Sequence, residues 1–568
     1  MAGKTKIPGD GAEAVLLSLK ENGVDYLFAN AGTDFPPIIE AYAKRSAAEL
    51  PQPITVPHES VAMGMAHGYY LVSARPQAVM VHVNVGLANA VMGAINAASD
   101  NVPLLLMSGR TPITETGRAG ARATPIQYGQ EMYDQSGMVR DIVKYTYEMR
   151  YPEQGTALVS RAMAIARTAP QGPVYLSLPR EPLGELIKEE QAAAITVQPP
   201  TSRAVPDPAS LHQLASWLKE AKSPLLLGQR GDPHGKLSAA VSRFCNRFGI
   251  AVAEPFCVRN LLASTDPVLA GYQAGAKIAE ADLILVLDSS VPWIELNQAP
   301  PEKARIIHLG PDPLFARMPV RSYRSDLNIG ADPLAIIEGL EAIMGSGNAA
   351  CRARLEKLSQ QSEQRRALAR RRAEQGAGRP MSAEWISHCV SEIMDDRAIA
   401  FSELCLLAGY MELAGPNRLF GNPHSGGLGW ALPAALGAQM ADRDRLVIAG
   451  MGDGSYMFAN PVACHQMAEA LSLPVLTLIK NNASWNAVRR SVLRGYPKGA
   501  AVQSNQMALT SLAPSPDFRQ VAAASNAHAE KVEDGAELPA ALARAVAIIR
   551  EEKRQVVLDL TTALSDDH

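Results

Sequence analysis

Two polar motifs in the last third of the chain could together hold a divalent cation and a diphosphate group. Gly452-Asp453-Gly454-Ser455 follows an apolar run at 446–449, and Asn481-Asn482 follows a second apolar run at 473–479. A carboxylate, an amide oxygen and a backbone carbonyl are ligands that suit Mg²⁺. Glycines allow backbone N–H groups to approach a phosphate where a helix begins. We therefore predict a diphosphate and magnesium site here.

An ordinary tight turn followed by a solvent-exposed pair of asparagines is the competing interpretation. The Gly-Asp-Gly motif alone does not distinguish the two, because glycine and aspartate are common in turns. The asparagine pair does, since the apolar run before it is typical of a second buried strand of a parallel sheet. Open α/β sheets bind ligands at the carboxyl edge of their strands, so the cation site is favoured.

Two side chains near the N-terminal end could transfer protons. Glu59 follows the apolar strand at 54–56 and opens a helix of small residues, where a buried carboxylate is costly unless it is used. A solvated glutamate, favoured by the dipole at a helix start, is the alternative. His82 ends the strand at 77–82, and the alternative for it is a hydrogen-bonded structural histidine.

The elements that must position these residues alternate between strands and helices. Such alternation implies parallel sheets covered by helices on both faces, so we predict an α/β fold of three doubly wound parallel-sheet domains. The predicted domains are residues 1–190, 205–344 and 381–568, with a linker at 345–380. The predicted strands lie at 25–29, 54–56, 77–82, 103–107 and 172–178 in the first domain, at 224–227, 250–252, 281–287 and 304–308 in the second, and at 398–401, 446–449, 474–479 and 555–560 in the third.

The segment from Gly345 to Gly378 is polar and basic. A nucleic-acid-binding segment is one interpretation, but a solvated linker helix is favoured because the rest of the chain is slightly acidic. No Gly-x-Gly-x-x-Gly motif follows a strand of the second domain, so a nicotinamide site has little support. The same observation argues against bound FAD, although the sequence leaves open whether the central domain binds a flavin or an adenine nucleotide.

The composition is that of a globular protein, with 568 residues, 47% of them hydrophobic, and a formal net charge of -3. This balance gives no reason to expect a nucleic acid or an anionic membrane as partner. Six cysteines without paired spacing indicate a reducing compartment rather than a disulfide framework or a zinc site. Residues 1–8 lack the apolar core of a signal peptide and no apolar run reaches membrane-spanning length, so we predict a cytoplasmic protein.

The two C-terminal motifs resemble the cofactor signature of the thiamine-diphosphate enzymes, with 26 residues between Gly454 and Asn481. The resemblance implies thiamine diphosphate and Mg²⁺ as cofactors. It implies that the metal is held by Asp453, Asn482 and the main-chain carbonyl of Ser484. The cofactor contacts that it implies are Glu59, Gly426, Leu428 as an apolar wedge beneath the ring, Gly452, Asp453, Gly454, Ser455 and Asn482.

The segment His58-Glu59-x-x-Ala-x-x-Met-Ala-x-Gly68 resembles the part of these enzymes that bears the activating glutamate, which implies that role for Glu59. The segments at 81–90, 169–179 and 426–433 resemble benzoylformate decarboxylase. This likeness implies that His82 is a proton-relay histidine and that Thr33 occupies a substrate-contacting position. Acetolactate synthases resemble the chain almost as well, but they usually have a small hydroxyl residue at the position of His82. The decarboxylase's second relay histidine would fall near 292–298, where this chain has none.

The resemblance implies decarboxylation, carboligation or both, of a 2-oxo acid through an enamine intermediate, as in benzoylformate decarboxylase. An acetolactate-synthase-type carboligase is the first alternative, and a 2-hydroxyacyl-CoA lyase is the second. A cofactor-binding protein without activity is disfavoured because Glu59 and Asp453 are both present. The sequence does not select the 2-oxo acid or the acceptor. The resemblance also implies a homodimer or homotetramer with active sites shared between subunits.

Overall fold

The computed structural model describes residues 7–504 and 506–564, and every strand in these residues belongs to one of three six-stranded sheets. All strand pairs within these sheets are parallel. The first sheet contains β1 (Tyr26–Asn30), β2 (Gln52–Thr55), β3 (Ala78–Val81), β4 (Leu105–Arg110), β5 (Thr146–Glu148) and β6 (Val174–Pro179). The second contains β7 (Pro224–Gly228), β8 (Ala251–Ala253), β9 (Leu269–Gly271), β10 (Leu283–Leu287), β11 (Arg305–Gly310) and β12 (Leu327–Gly330). The third contains β13 (Ile399–Glu403), β14 (Leu419–Gly421), β15 (Val447–Gly452), β16 (Leu476–Asn481), β17 (His528–Val532) and β18 (Val556–Thr561).

Helices connect these strands along the whole chain. The first group is α1 (Gly11–Glu21), α2 (Pro36–Lys44), α3 (Glu59–Ser73), α4 (Val83–Ser99), α5 (Ile126–Gly129), α6 (Gln154–Arg167) and α7 (Arg180–Gly184). The second is α8 (Pro208–Glu220), α9 (Lys236–Phe248), α10 (Gly275–Glu280), α11 (Glu295–Gln298), α12 (Pro333–Met344) and α13 (Ala349–Glu374). The third is α14 (Ala383–Ile393), α15 (Ala431–Ala441), α16 (Asp453–Phe458), α17 (Pro461–Ala470), α18 (Asn486–Gly495), α19 (Ala500–Ser504), α20 (Phe518–Ala523) and α21 (Leu538–Glu551). Single 3₁₀ turns lie at Ser136–Met138, Glu189–Gln191, Ala408–Tyr410 and Gly535–Glu537.

In each sheet the strand order reverses beside the strand that comes first in the chain. The orders are β2-β1-β3-β4-β6-β5, β12-β11-β10-β7-β8-β9 and β14-β13-β15-β16-β18-β17. The prediction of doubly wound parallel sheets is therefore confirmed. Ligands of such sheets bind outside the carboxyl ends of the strands where the order reverses. In the first sheet that position lies between β1 and β3, and in the third it lies between β13 and β15.

The interior strands form because their sequences are apolar on both faces. Every residue of β3, β7 and β10 is buried, as a parallel sheet covered by helices on both sides requires. The basic segment predicted to be a linker helix forms α13, which is 26 residues long.

The chain divides into two compact units, which do not coincide with the sequence order of the three sheets. The first unit consists of the described residues up to Ser202 together with Pro423–Arg443 and Phe458–Leu473, and the second contains the remaining described residues. The predicted boundaries at residues 190, 205, 344 and 381 stay a prediction. Residues 1–6, which belong to the segment predicted to lack a signal peptide, lie outside the described residues. No helix among the described residues is long and apolar enough to cross a membrane.

In the first unit, small residues allow α3 to pack closely against α15. A Cβ atom on Gly68 would lie 1.8 Å from the carbonyl oxygen of Ala434. A Cβ atom on Gly437 would lie 1.9 Å from the carbonyl oxygen of Met65, so the close approach requires glycine on both helices. This contact fixes α3, whose first residue is Glu59.

Candidate active site

The two predicted metal-binding motifs lie at the carboxyl ends of adjacent strands in the second unit. Asp453 begins α16 directly after β15, and Asn482 directly follows β16. β15 and β16 pair in parallel, with Gly452 opposite Lys480. Because the two strands end at the same edge of the sheet, the structure brings Asp453, Asn482 and Ser484 together there.

Asp453 is the chemically unusual residue of this edge. Its side chain is buried, with 3% of the residue exposed. Burial raises the pKa of Asp453, and the backbone N–H groups of Gly454 and of residues 482–484 oppose that shift. Oδ1 accepts a hydrogen bond of 2.8 Å from the N–H of Gly454, whereas Oδ2 makes no hydrogen bond of ordinary geometry with the described residues. A buried oxygen without a donor is costly, and a divalent cation would satisfy it.

The loop after β16 turns back toward Asp453 and is held by main-chain hydrogen bonds. Ala483 adopts a left-handed conformation with φ of 52°, and Oδ1 of Asn482 accepts a 3.1 Å hydrogen bond from the N–H of Ser484. The N–H of Trp485 donates to the carbonyl of Thr510 at 2.7 Å. The loop carries the Asn482 amide oxygen and the Ser484 carbonyl, which accepts a 2.8 Å hydrogen bond from the N–H of Asn486, and oxygens of these kinds together with a carboxylate are donors that suit Mg²⁺.

The two asparagines of the motif have different surroundings. Asn481 fastens the strand ends, because its Nδ2 donates to Oδ1 of Asp559 at 3.0 Å and its Oδ1 accepts from the hydroxyl of Ser515 at 3.1 Å. Asn482 instead belongs to the turning loop. The assignment of the metal to the second asparagine, which the resemblance implies, stays a prediction.

A half-buried lysine, Lys480, lies at the same strand ends. Burial lowers the pKa of Lys480, and the negative charge of Asp453 is among the influences that oppose that shift. The Ser402 hydroxyl, at the end of the neighbouring strand β13, bonds to its own loop, donating to the Leu406 carbonyl and accepting from the Leu406 N–H, both at 2.9 Å. Lys480 is a residue of this edge that the sequence analysis missed.

Glu59 and His82 lie at strand ends of the first unit. Glu59 is 8% exposed, and its Oε2 accepts a 3.1 Å hydrogen bond from Nδ2 of Asn89. Its Oε1 lies 3.1 Å from the position of a Cβ atom on Gly86, so a larger residue there would crowd the carboxylate. The buried environment predicted for this glutamate is present.

His82 forms a short hydrogen bond with Asp34, a residue that the sequence analysis did not single out. Nδ1 of His82 lies 2.5 Å from Oδ1 of Asp34. This hydrogen bond raises the pKa of His82, the negative charges of Asp34 and Glu59 add to the effect, and burial opposes it. Nε2 lies 3.2 Å from the Nε2 of Gln130. Thr33, beside Asp34 in the same turn, is exposed.

Gly426 and Leu428 belong to a loop of the first unit that is clamped by α4. Asn96 donates from Nδ2 to the carbonyl of Gly427 at 2.9 Å, and its Oδ1 accepts from the N–H of Gly427 at 3.2 Å. Gly426 has φ of 67° and is exposed, and Leu428 is half-buried. Gly452 and Ser455 lie in the second unit, where the Ser455 hydroxyl is 3.9 Å from a Cβ position on Gly452.

Three family models match successive parts of the chain. The N-terminal TPP binding domain of thiamine pyrophosphate enzymes matches residues 9–138, the central domain matches residues 211–340, and the C-terminal TPP binding domain matches residues 404–560. The chain belongs to the thiamine pyrophosphate enzyme family. The predictions of this family, of an enzyme and of thiamine diphosphate as its cofactor are confirmed.

The relatives of this thiamine pyrophosphate enzyme include a decarboxylase and an acetolactate synthase. The benzoylformate decarboxylase of Pseudomonas aeruginosa is 27% identical over 491 residues, which are 83% of this chain and 85% of the relative. The acetolactate synthase large subunit of Haemophilus influenzae is 23% identical over 491 residues, which are 83% of this chain and 82% of the relative. The solved structure of benzoylformate decarboxylase from Polynucleobacter necessarius has a TM-score of 0.78 at 20% identity and covers 98% of this chain and 99% of that one, which shows a shared fold.

Proposed function

We propose that this thiamine pyrophosphate enzyme uses Mg²⁺ and catalyses the decarboxylation of a 2-oxo acid, with or without transfer of the remaining acyl group to a second carbonyl compound. The observation that carries the proposal is the pairing of His82 with Asp34 at the strand ends where Glu59 also lies. A histidine held in this way can donate and accept a proton near neutral pH. Similarity to benzoylformate decarboxylase supports decarboxylation as the reaction.

The residues of the second unit would hold the diphosphate end of the cofactor. Asp453 through Oδ2, Asn482 through its amide oxygen and Ser484 through its carbonyl would bind the Mg²⁺ ion, which neutralises phosphate charge. Gly452, Gly454 and Ser455 would line the phosphate side. Lys480 would contribute further positive charge. The fit rests on Oδ2 of Asp453, which is buried and accepts no hydrogen bond of ordinary geometry from the described residues.

The residues of the first unit would act on the rest of the cofactor and on the substrate. When bound, thiamine diphosphate supplies the carbon nucleophile that attacks the keto carbon and accepts the electrons left behind by carbon dioxide. Glu59 would exchange a proton with the pyrimidine ring through Oε1, while Asn89 holds Oε2. Gly426 and Leu428 would support the rings. His82 would donate a proton through Nε2 to the substrate, and Thr33 would contact it.

An acetolactate-synthase-type carboligase is the second candidate, and the similarity to the Haemophilus influenzae large subunit favours it. Product analysis separates the two. The purified protein, loaded with thiamine diphosphate and Mg²⁺, would be incubated with benzoylformate, pyruvate or glyoxylate, each with and without an aldehyde acceptor. We expect carbon dioxide and an aldehyde as products. A ligated hydroxy ketone or hydroxy acid as the main product would support the carboligase, and no consumption of any 2-oxo acid would contradict both.

We also propose a homodimer or homotetramer in which two subunits each contribute residues to an active site, as the family resemblance implies. Mixing inactive Glu59→Gln and Asp453→Ala subunits after reversible dissociation should restore activity, because one intact site would form in each mixed dimer. No recovery despite demonstrated subunit exchange would contradict shared sites. The cytoplasmic location stays a prediction from the cysteine content.

A further inference from the structure

Asp34 is held so that both of its carboxylate oxygens are engaged with the start of α4. Oδ1 lies 2.5 Å from Nδ1 of His82, and Oδ2 accepts a 3.1 Å hydrogen bond from the N–H of Val83. The residue is 3% exposed. A carboxylate with two partners on consecutive residues has little freedom to rotate, so the orientation of the imidazole ring is fixed relative to α4.

Two glycines make room for this pair. A Cβ atom on Gly32 would lie 2.1 Å from Nδ1 of His82, and a Cβ atom on Gly109 would lie 1.6 Å from Oδ2 of Asp34. Gly32 lies in the turn after β1, whereas Gly109 lies in β4. The backbone of the turn after β1 and the backbone of β4 therefore lie directly against the imidazole ring and the carboxylate. A larger residue at either glycine position would displace the pair.

The hydrogen bond decides which ring nitrogen can exchange a proton. An ionised carboxylate only accepts hydrogen bonds, so Nδ1 of His82 carries a hydrogen and donates it to Asp34. Nε2 is then the nitrogen that gains or loses a proton. It lies 3.2 Å from the amide of Gln130, and the His82 side chain remains 18% exposed. When the His82 ring is neutral, Nε2 accepts a hydrogen bond from the amide nitrogen of Gln130. When the ring is charged, Nε2 carries a hydrogen, so the amide oxygen of Gln130 must face it instead.

The charged groups around His82 support this arrangement from several elements. Asp34, in the turn after β1, and Glu59, at the start of α3, both favour the charged imidazole. Glu131, next to Gln130, is engaged elsewhere, because Arg110 donates to its Oε1 at 2.7 Å and Arg122 contacts its Oε2. These ion pairs hold the loop that carries Gln130 and keep the Glu131 carboxylate on the arginines.

We infer that Asp34 is a positioning residue that fixes His82 with hydrogen on Nδ1 and aims Nε2 as the proton donor for the 2-oxo acid reaction. This inference rests on the proposed function for its catalytic consequence, but the state of the ring can be measured without substrate. An ion pair with a purely structural role would have no such effect on catalysis. The matched comparison is a second buried histidine–aspartate pair of the first unit, in which Nε2 of His67 lies 3.0 Å from Oδ2 of Asp100.

The experiment compares Asp34→Asn with Asp100→Asn in the full-length protein labelled with ¹⁵N and ¹³C in histidine. The His82 resonances would be assigned with His82→Gln. In Asp34→Asn we expect both neutral tautomers of His82 to be populated and its pKa to fall toward the ordinary value for histidine, since the hydrogen bond to the carboxylate that raises this pKa is removed. In Asp100→Asn we expect the His82 signals and the pH at which they titrate to stay as in the wild type.

Kinetics supply the second readout. With the 2-oxo acid that the wild type consumes, Asp34→Asn should lower kcat by about 100-fold, the scale of general acid catalysis, with KM little changed and the pH profile displaced. Unaltered His82 resonances in Asp34→Asn, or an equal fall in kcat in Asp100→Asn, would overturn the inference. If the wild type consumes no 2-oxo acid, the proposed function fails, whereas altered His82 resonances in Asp34→Asn would still establish the positioning of the ring.

Discussion

The indole ring of Trp485 fills the space into which any side chain at position 454 would extend. A Cβ atom on Gly454 would lie 2.2 Å from Cζ3 of that ring. Trp485 directly follows Ser484, and Gly454 directly follows Asp453. The contact therefore sets the spacing between the two loops that carry the proposed metal ligands.

We expect Gly454→Ala to weaken Mg²⁺ binding by about tenfold or more, the scale seen when the support of a metal ligand is removed. Isothermal titration of Mg²⁺ in the presence of thiamine diphosphate measures this affinity. Gly495→Ala is the control, because a Cβ atom there would meet no described atom within 4 Å. Replacing Trp485 by leucine in the Gly454→Ala protein should restore part of the affinity. Equal effects of the two glycine substitutions would contradict the prediction.

Asp453→Asn should abolish the stabilisation of the protein by its cofactors. A ligand that binds only the folded protein stabilises it by about 2.7 kcal/mol at a concentration 100 times its Kd. We therefore expect saturating Mg²⁺ and thiamine diphosphate to raise the Tm of the wild type, and chelation of the metal to reverse the rise. Asp453→Asn should show little rise, whereas Asp517→Asn, at a partly exposed carboxylate that pairs with Arg519, should respond like the wild type. A normal rise in Asp453→Asn would exclude it as a metal ligand.

Gly68→Ala should destabilise the first unit. The added methyl group would lie 1.8 Å from the backbone carbonyl oxygen of Ala434, and a helix backbone moves only at a cost of about 1–3 kcal/mol. The midpoint of urea denaturation should fall, and the reactivity of the site should fall with it because α3 carries Glu59. Gly378→Ala, where a Cβ atom would meet no described atom within 4 Å, should leave the midpoint nearly unchanged. A similar loss in both proteins would refute the role of the helix contact.

His308 should make the second unit sensitive to acid. Burial, with a further contribution from the charge of Arg321, lowers the pKa of His308 to about 4. In the unfolded chain its pKa is about 6.5, so the unfolded state takes up a proton first as the pH falls. Stability is thus lost between about pH 6.5 and pH 4, by on the order of 3 kcal/mol. His308→Gln should show a smaller decrease in urea midpoint over this range, and an identical pH dependence would contradict the assignment.

The interior of each sheet could be predicted from the sequence, but the edge strands largely could not. Apolar runs predicted all of the interior strands, whereas β5, β9, β12, β14 and β17, all at sheet edges, were not predicted. β5 has no fully buried residue and β12 has one. An edge strand is short and pairs on one side only, so it needs no continuous apolar run, and its position is set by the neighbouring strand.

The part of the candidate site whose functional residues lie within short sequence motifs could be predicted. The Gly-Asp-Gly and Asn-Asn motifs, at the ends of two apolar runs, identified Asp453 and Asn482 as residues of one sheet edge. Asp34 was missed although it lies in the turn after β1, at the same edge of the sheet as His82, which directly follows β3. The Asp34–His82 contact requires that β1 and β3 are neighbours in the sheet. The order of strands in a sheet cannot be predicted from local sequence.

The most direct test of the proposed function compares the wild type with Glu59→Gln, both saturated with thiamine diphosphate and Mg²⁺. The measurement is carbon dioxide release from a panel of aromatic and short 2-oxo acids, with bound cofactor determined in the same samples. We expect the wild type to release carbon dioxide from at least one of them, and Glu59→Gln to retain the cofactor while losing turnover by about 100-fold or more. The proposed function would be contradicted if the wild type, with the cofactor bound, formed neither carbon dioxide nor a ligated product from any of these acids.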